Sequence, residues 1–166
     1  MRNLIVTLAL LISFFFSYHK YNEEISVHFS VIDNCSEYII DRIDKAEKSV
    51  EFCSYILTDN KIKEALLKAK KRGIKVRGVV EKKNLNKQVK DLKKEKIVKI
   101  RGRKKGIMHH KFIIIDRSIL ITGSYNLTFS ANNMNDENFV TIKDKSIISK
   151  YLQEFLRLWN WYNKIL

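Results

Sequence analysis

Apolar and polar residues recur along this chain with two different periods, and each change of period marks an element. Over 35–48, Tyr38, Ile39, Ile43 and Ala46 sit at helical spacing. Residues 50–56 read as a strand, and Thr58 or Asp59 is placed to cap a helix over 61–72 that Gly73 ends. The segments 75–80, 84–96 and 97–101 then read as a strand, a lysine-rich amphipathic helix and a strand. This order predicts a largely parallel sheet covered by helices. From 107 onward the grammar changes. Two apolar runs, 111–116 (KFIIID) and 119–122 (ILIT), flank Arg117 and Ser118 and predict an antiparallel pair with a tight turn. A strand over 138–143 and a helix over 146–166 follow. The stripe of Ile148, Leu152, Phe155, Leu158, Trp159 and Tyr162 on that helix reads as core packing.

The N-terminus breaks this pattern. Residues 4–16 (LIVTLALLISFFF) form an uncharged apolar run, preceded by Arg2 and followed by Tyr18, His19 and Lys20. Residues 1–20 therefore read as a secretory signal or as a retained membrane anchor holding the chain through residues 4–18, and 21–166 as one domain. Either reading places that domain outside the cytoplasm or at a membrane. Two cysteines in 166 residues exclude a disulfide scaffold, although Cys35 and Cys53 could pair in an oxidising compartment. Neither has the clustered spacing with histidine that a zinc site requires, and no cofactor is implied.

Charge narrows the class of partner. The chain carries a formal charge of +14, while residues 61–105 hold 20 Lys and Arg against 4 Asp and Glu. The rest of the chain is thus close to neutral. Such a concentrated field suits a polyanion, either nucleic acid or an acidic membrane surface. The candidates for gripping phosphates are Lys70, Lys71, Arg72, Lys82, Lys83, Arg101, Arg103, Lys104 and Lys105.

Candidate chemistry lies between His109 and Asn138. In a strand, His109 and Lys111 share a face while His110 points away, and Ser124 and Asn126 repeat the spacing after the turn. Glu137 adds a carboxylate able to orient a histidine ring. This set supplies a nucleophile, a cation and neutral oxygen-binding donors, the needs of a phosphoryl centre without a metal.

His109-x-Lys111-x4-Asp116, with Gly123-Ser124-x-Asn126 and Asn135-Asp136-Glu137-Asn138, resembles the catalytic signature of the phospholipase D superfamily. His28-Phe29-Ser30, Ser54-Tyr55-x-Leu57-Thr58, the segment 69–76 (AKKRGIKV) and Glu154-Phe155-x-x-Leu158-Trp159 extend the resemblance to its small single-motif nucleases, over roughly residues 26 to 162. Val31 stands where the family often has proline, and His110 where it usually has Asn or Asp. The resemblance implies a three-layer α/β/α sandwich with a mixed sheet. It also implies a phosphohistidine mechanism in which two His-x-Lys motifs face one another. This chain has one, so a homodimer joining His109 and Lys111 of two copies is implied. Lys111, Ser124 and Asn126 would hold phosphate oxygens, Glu137 would hydrogen-bond His109, and Asp116 would support the structure.

Two activities compete on this reading: a metal-independent endonuclease cutting DNA or RNA, and a lipid phosphodiesterase acting on anionic phospholipids. The basic segment and small size favour the nuclease, and the apolar leader favours the lipid enzyme. A nucleic-acid-binding module without catalysis is a third reading, in which binding would survive loss of His109.

Overall fold

The computed structural model describes residues 25–102 and 105–161. The predicted leader at 1–20 lies outside the described residues, as do Arg103, Lys104 and the end of the last helix predicted over 146–166. Strands β1 (Ile25–Phe29), β2 (Ser49–Ser54), β3 (Lys75–Glu81), β4 (Val98–Arg101), β5 (Phe112–Ile115), β6 (Ile119–Gly123) and β7 (Asn138–Ile142) form one sheet, in the order β1-β7-β6-β5-β2-β3-β4. The helices are α1 (Ser30–Asp33), α2 (Cys35–Asp44), α3 (Asn60–Lys71), α4 (Lys87–Lys94), α5 (Phe129–Asn133) and α6 (Lys145–Asn160). Among the described residues no helix is long and apolar enough to cross a membrane.

The sheet is mixed, as expected, but the expectation that it is largely parallel needs correction. Only the β2–β3 and β3–β4 interfaces are parallel, and β2–β5, β5–β6, β6–β7 and β1–β7 are antiparallel. Helical crossovers α3 and α4 impose the parallel half. The β5–β6 hairpin then enters between β2 and β7 and reverses direction for the remainder.

Three layers result. Helices α2, α3 and α4 cover one face with Ile39, Ile43, Ile62, Leu66, Val89 and Leu92, against Val50, Phe52, Val80 and Ile113 of the sheet. Helix α6 covers the other face, packing Ile148, Phe155 and Leu158 on Cys53, Val79, Phe112, Ile114 and Leu120. Every residue of β5 is buried, as a strand covered on both faces must be. Cys35 and Cys53 are free and pack on opposite sides of the sheet, so they do not pair. Burial pushes the Cys35 thiol up to about 11.

Local signals explain the boundaries. Asp59 caps α3, its Oδ1 accepting from Lys61 N (2.7 Å) and Ile62 N (3.3 Å). Gly73, at φ +89°, closes the helix: its N–H donates to Lys70 O and Ile74 N–H to Ala69 O. The predicted helix over 84–96 is shorter, because the Asn86 side chain accepts from Val89 N and starts α4 after a 3-10 turn over Lys82–Asn84. The hairpin turn falls one residue earlier than predicted. Asp116 (φ 51°) and Arg117 (φ 55°) occupy its centre, the two positive angles that a tight turn between twisted strands requires.

Asp116 also ties the hairpin to β2, its carboxylate accepting from the backbone N–H groups of Glu47 (3.0 Å), Lys48 (2.7 Å) and Ser49 (2.9 Å). Partial burial pushes its carboxyl upward, but these three donors outweigh burial and hold it below the ordinary aspartate value. Removing the carboxylate in Asp116→Ala is expected to cost on the order of 2 kcal/mol at neutral pH. The folded-state pKa is depressed, so this stabilisation is complete above the unfolded aspartate value and lost as pH falls through the folded one. Urea unfolding of both proteins between pH 7 and pH 2 checks this: the gap between them closes toward the acid end.

Candidate active site

The strand register brings the candidate residues to one end of the sheet. Cys53 pairs with Phe112, Phe112 with Thr122, Gly123 with Phe139, and Phe29 with Asn138. The carboxyl ends of β1, β2 and β6 therefore meet the amino ends of β5 and β7, and His109, Lys111, Ser124, Asn126 and Glu137 all lie there. Asp116 lies at the opposite end, in the supporting role expected of it.

His109 and Lys111 belong to an irregular segment before β5, yet they face the same way. The Lys111 ammonium is 3.3 Å from each nitrogen of the His109 ring and donates to the His109 carbonyl oxygen at 3.1 Å. The Tyr55 ring packs against His109 with centroids 4.6 Å apart, and Lys111 Nζ lies 5.5 Å from the Tyr55 centroid. Desolvation lowers the Lys111 pKa from the ordinary lysine value, opposed by the negative charge of Glu137. His110 points away, as strand alternation predicted, and meets Glu154 of α6 at 3.0 Å. Glu154 also binds Arg157, whose hydrogen bonds are the main reason its carboxyl lies below the ordinary glutamate value.

Ser124 follows Gly123, where β6 and β7 approach so closely that an added Cβ would stand 2.2 Å from the Asn138 carbonyl oxygen. This contact fixes the serine beside the β7 loop: Ser124 Oγ donates to Glu137 Oε2 (2.5 Å) and accepts from Asn138 N (3.2 Å). Glu137 does not hydrogen-bond His109, a correction to the role that the resemblance gave it. Its second oxygen accepts from Asn135 Nδ2 (3.3 Å), so the carboxylate positions Ser124 and acts on Lys111 through charge. Asn126 is half-buried, and its Oδ1 has no partner among the described residues. That free oxygen is an acceptor, so only the amide N–H groups of Asn126 could donate to a phosphate oxygen.

The basic candidates separate. Lys82 and Lys83 leave the carboxyl end of β3 and Lys105 follows β4, all three exposed at the end that carries His109. Lys70, Lys71 and Arg72 lie at the other end, where α3 runs into β3, and Arg72 is bonded to the Ile43 carbonyl oxygen. Arg101 is buried and places its guanidinium 3.5 Å from the centroid of the Trp161 ring. Sequence spacing had no means of separating these groups, because a helix antiparallel to its strands carries its last turn to the far edge. Among the described residues no cluster of three or more His, Cys, Asp or Glu side chains is placed to hold a metal ion.

Three supporting residues were not predicted as part of the site. Tyr55 packs on His109, and Ser30 accepts from Glu137 N (3.0 Å) while donating to the Asn135 carbonyl oxygen (2.7 Å). Glu81 is fully buried at the end of β3, and its Oε2 accepts from Met108 N at 2.7 Å. Met108 immediately precedes His109, so this bond anchors the irregular segment. Glu81→Ala leaves a buried N–H unpaired and frees that segment, and a displacement of about 1 Å at a reacting group costs roughly a hundredfold in turnover. Glu81→Gln keeps an acceptor oxygen in place and is expected to retain most activity. Steady-state turnover of a small chromogenic phosphodiester, beside a thermal melt of each variant, distinguishes misplacement of His109 from unfolding.

Known proteins resemble this chain in sequence and fold. Residues 39–159 match the family described as cardiolipin synthase, PLD-like domain. A phospholipase D of Rickettsia felis is 36% identical over 144 residues, covering 85% of this chain and 69% of that protein. A mitochondrial cardiolipin hydrolase of Xenopus tropicalis is 31% identical, covering 72% of this chain and 58% of its own. The crystal structure of Nuc, a phospholipase D family member from Salmonella typhimurium, superposes with a TM-score of 0.69 at 28% identity, covering 82% of this chain and 95% of that one. Sequence, fold and the His109–Lys111 pair converge: the chain belongs to the phospholipase D superfamily of phosphodiesterases.

Proposed function

We propose that the chain is a non-specific endonuclease that hydrolyses DNA or RNA through a phosphohistidine on His109, working as a homodimer. The observation that carries the nucleic-acid reading is the placement of exposed Lys82, Lys83 and Lys105 beside an exposed His109 at the same end of the sheet. An extended polyanion can run across that surface with its phosphates on the lysines, a form of recognition that reads backbone and not sequence.

In the proposed mechanism, a ring nitrogen of His109 attacks phosphorus, forming the N–P bond as the P–O bond to the leaving strand breaks. The leaving oxygen takes a proton from a second histidine, which the single motif of this chain assigns to the partner's His109. Water then attacks the phosphohistidine, giving its proton back to that histidine, and the N–P bond breaks. Lys111 neutralises charge on the non-bridging oxygens and the Asn126 amide N–H groups donate to them, while Ser124 joins them by turning its single O–H from Glu137 to the phosphate.

A second reading, a phospholipase D-type enzyme acting on anionic phospholipids, draws on the apolar residues flanking the site at Phe29, Val31 and Ile32. It also draws on the relatives named phospholipase D and mitochondrial cardiolipin hydrolase.

The full chain, purified in mild detergent and incubated with excess EDTA at low salt, is offered plasmid DNA, single-stranded DNA, RNA and anionic phospholipid vesicles. Cleavage of nucleic acid is expected, with His109→Ala reducing turnover by about a thousandfold or more while binding persists. Release of head groups with nucleic acids intact would instead establish the lipid reading. Binding measured against salt tests the charge map: Lys82→Ala with Lys83→Ala is expected to lower the slope of log K against log salt by about one to two, and Lys70→Ala with Lys71→Ala to leave it unchanged.

A further inference from the structure

The catalytic end of the sheet carries an apolar flank that the chemistry does not use. The irregular edge runs from Phe29 and α1, past Glu137, Ser124 and His109, to Lys82, Lys83 and Lys105, so the site separates an apolar side from a basic side. On the apolar side Ile32 is 82% exposed and Val31 66%, and Phe29 is more than half exposed. Phe129 (64%) and Met134 (74%), on and just after the neighbouring helix α5, add to them. Single exposed apolar residues need no explanation, but several large ones gathered at one end of a molecule mark a surface that something covers.

These residues are held out and not merely left loose. Phe29 N–H donates to Asp33 Oδ2 (2.8 Å), and Ser30 N–H to the Glu137 carbonyl oxygen (3.0 Å). The single-turn helix α1 is thus fixed to the loop that carries Glu137. Between them is a cleft of about 290 Å³ lined by Phe29, Val31, Ile32, Asp136, Glu137 and Asn138. The flank continues back along the edge strand, where Ile25 and Val27 are also more than half exposed.

The chain before β1 indicates the occupant. Eight residues, 17–24, separate the apolar run at 4–16 from Ile25. Eight extended residues span at most about 28 Å, so a bilayer holding that run keeps the flank within reach. Protruding aliphatic and aromatic side chains on one side of the site, with exposed lysines on the other side of the same end, form a combination that enters the interface of an anionic bilayer. We propose that the flank formed by Phe29, Val31, Ile32, Phe129 and Met134 docks the catalytic end on an anionic phospholipid surface, whichever phosphodiester is cut.

Cysteine substitution tests this in the full chain, because Cys35 and Cys53 are buried and an introduced surface thiol takes the label selectively. An environment-sensitive fluorophore is placed at Ile32→Cys or Phe129→Cys, and, as a control at the far end of the sheet, at Ser118→Cys. Each protein is reconstituted in phosphatidylglycerol–phosphatidylcholine vesicles. Nitroxide-bearing lipids are expected to quench the probes at 32 and 129, with aqueous iodide ineffective, and the probe at 118 is expected to behave in the opposite way. Quenching is expected to weaken in vesicles of phosphatidylcholine alone, and equal quenching there would overturn the anionic assignment. Iodide access at all three positions would overturn the docking. So would protection at 32 and 129 without lipid quenching, which would assign the flank to a second copy of the chain.

Discussion

The register of β5 between β2 and β6 is the constraint on which the rest depends. Phe112 pairs with Cys53 on one side and Thr122 on the other, and the strand is buried on both faces. That pairing places the residues just before β5 beside those just after β2 and β6, which brings His109 to Tyr55 and Lys111 to the Ser124 loop. A slip of one residue would exchange the two faces of an entirely apolar strand and turn Lys111 away from the site. The tight Asp116–Arg117 turn, pinned to the start of β2 by the Asp116 carboxylate, opposes that slip from the far end of the sheet.

The end of the sheet that carries His109 is built from irregular segments held by polar side chains, of which Glu81 and Ser30 are buried. Glu81 holds Met108 next to His109, Ser30 holds the backbone of Glu137, and Glu137 holds Ser124. Glu81 lies on a strand and Ser30 on a helix, so the loops they hold inherit the precision of those elements, and Glu137, itself on a loop, passes it on to Ser124. The charge of the site is arranged likewise. Lys111 is partly desolvated beside His109, and the carboxylate that moderates this is fixed by its bond to Ser124. Along the same edge, apolar side chains stand on the β1 side and exposed lysines on the β3 and β4 side.

Much of this was legible from residue order. The 3.6-residue periods of α2, α3 and α6, the glycine ending α3, the Asp59 cap and the paired β5 and β6 runs are local signals, and they survive folding because neighbours in sequence remain neighbours in space. His109 and Lys111 were legible for the same reason, since two residues at spacing two share a face in extended chain even where no strand forms. Ser124, Asn126 and Glu137 were legible through their spacing in the superfamily signature.

The sequence by itself determined the elements, the pairing of His109 with Lys111 and the concentration of charge, all set by local geometry or composition. Tertiary structure decided what depends on which strands adjoin: the antiparallel majority of the sheet, the bond from Glu137 to Ser124 and not to His109, and the anchoring of Met108 by Glu81. It also divided the lysines, because α3 runs antiparallel to its strands and carries Lys70, Lys71 and Arg72 to the end of the sheet away from His109. Glu81 and Met108 are 27 residues apart, and no periodic pattern spans such a distance. Only the packing of β3 against β4 and β2 brings that carboxylate beneath the segment that carries His109.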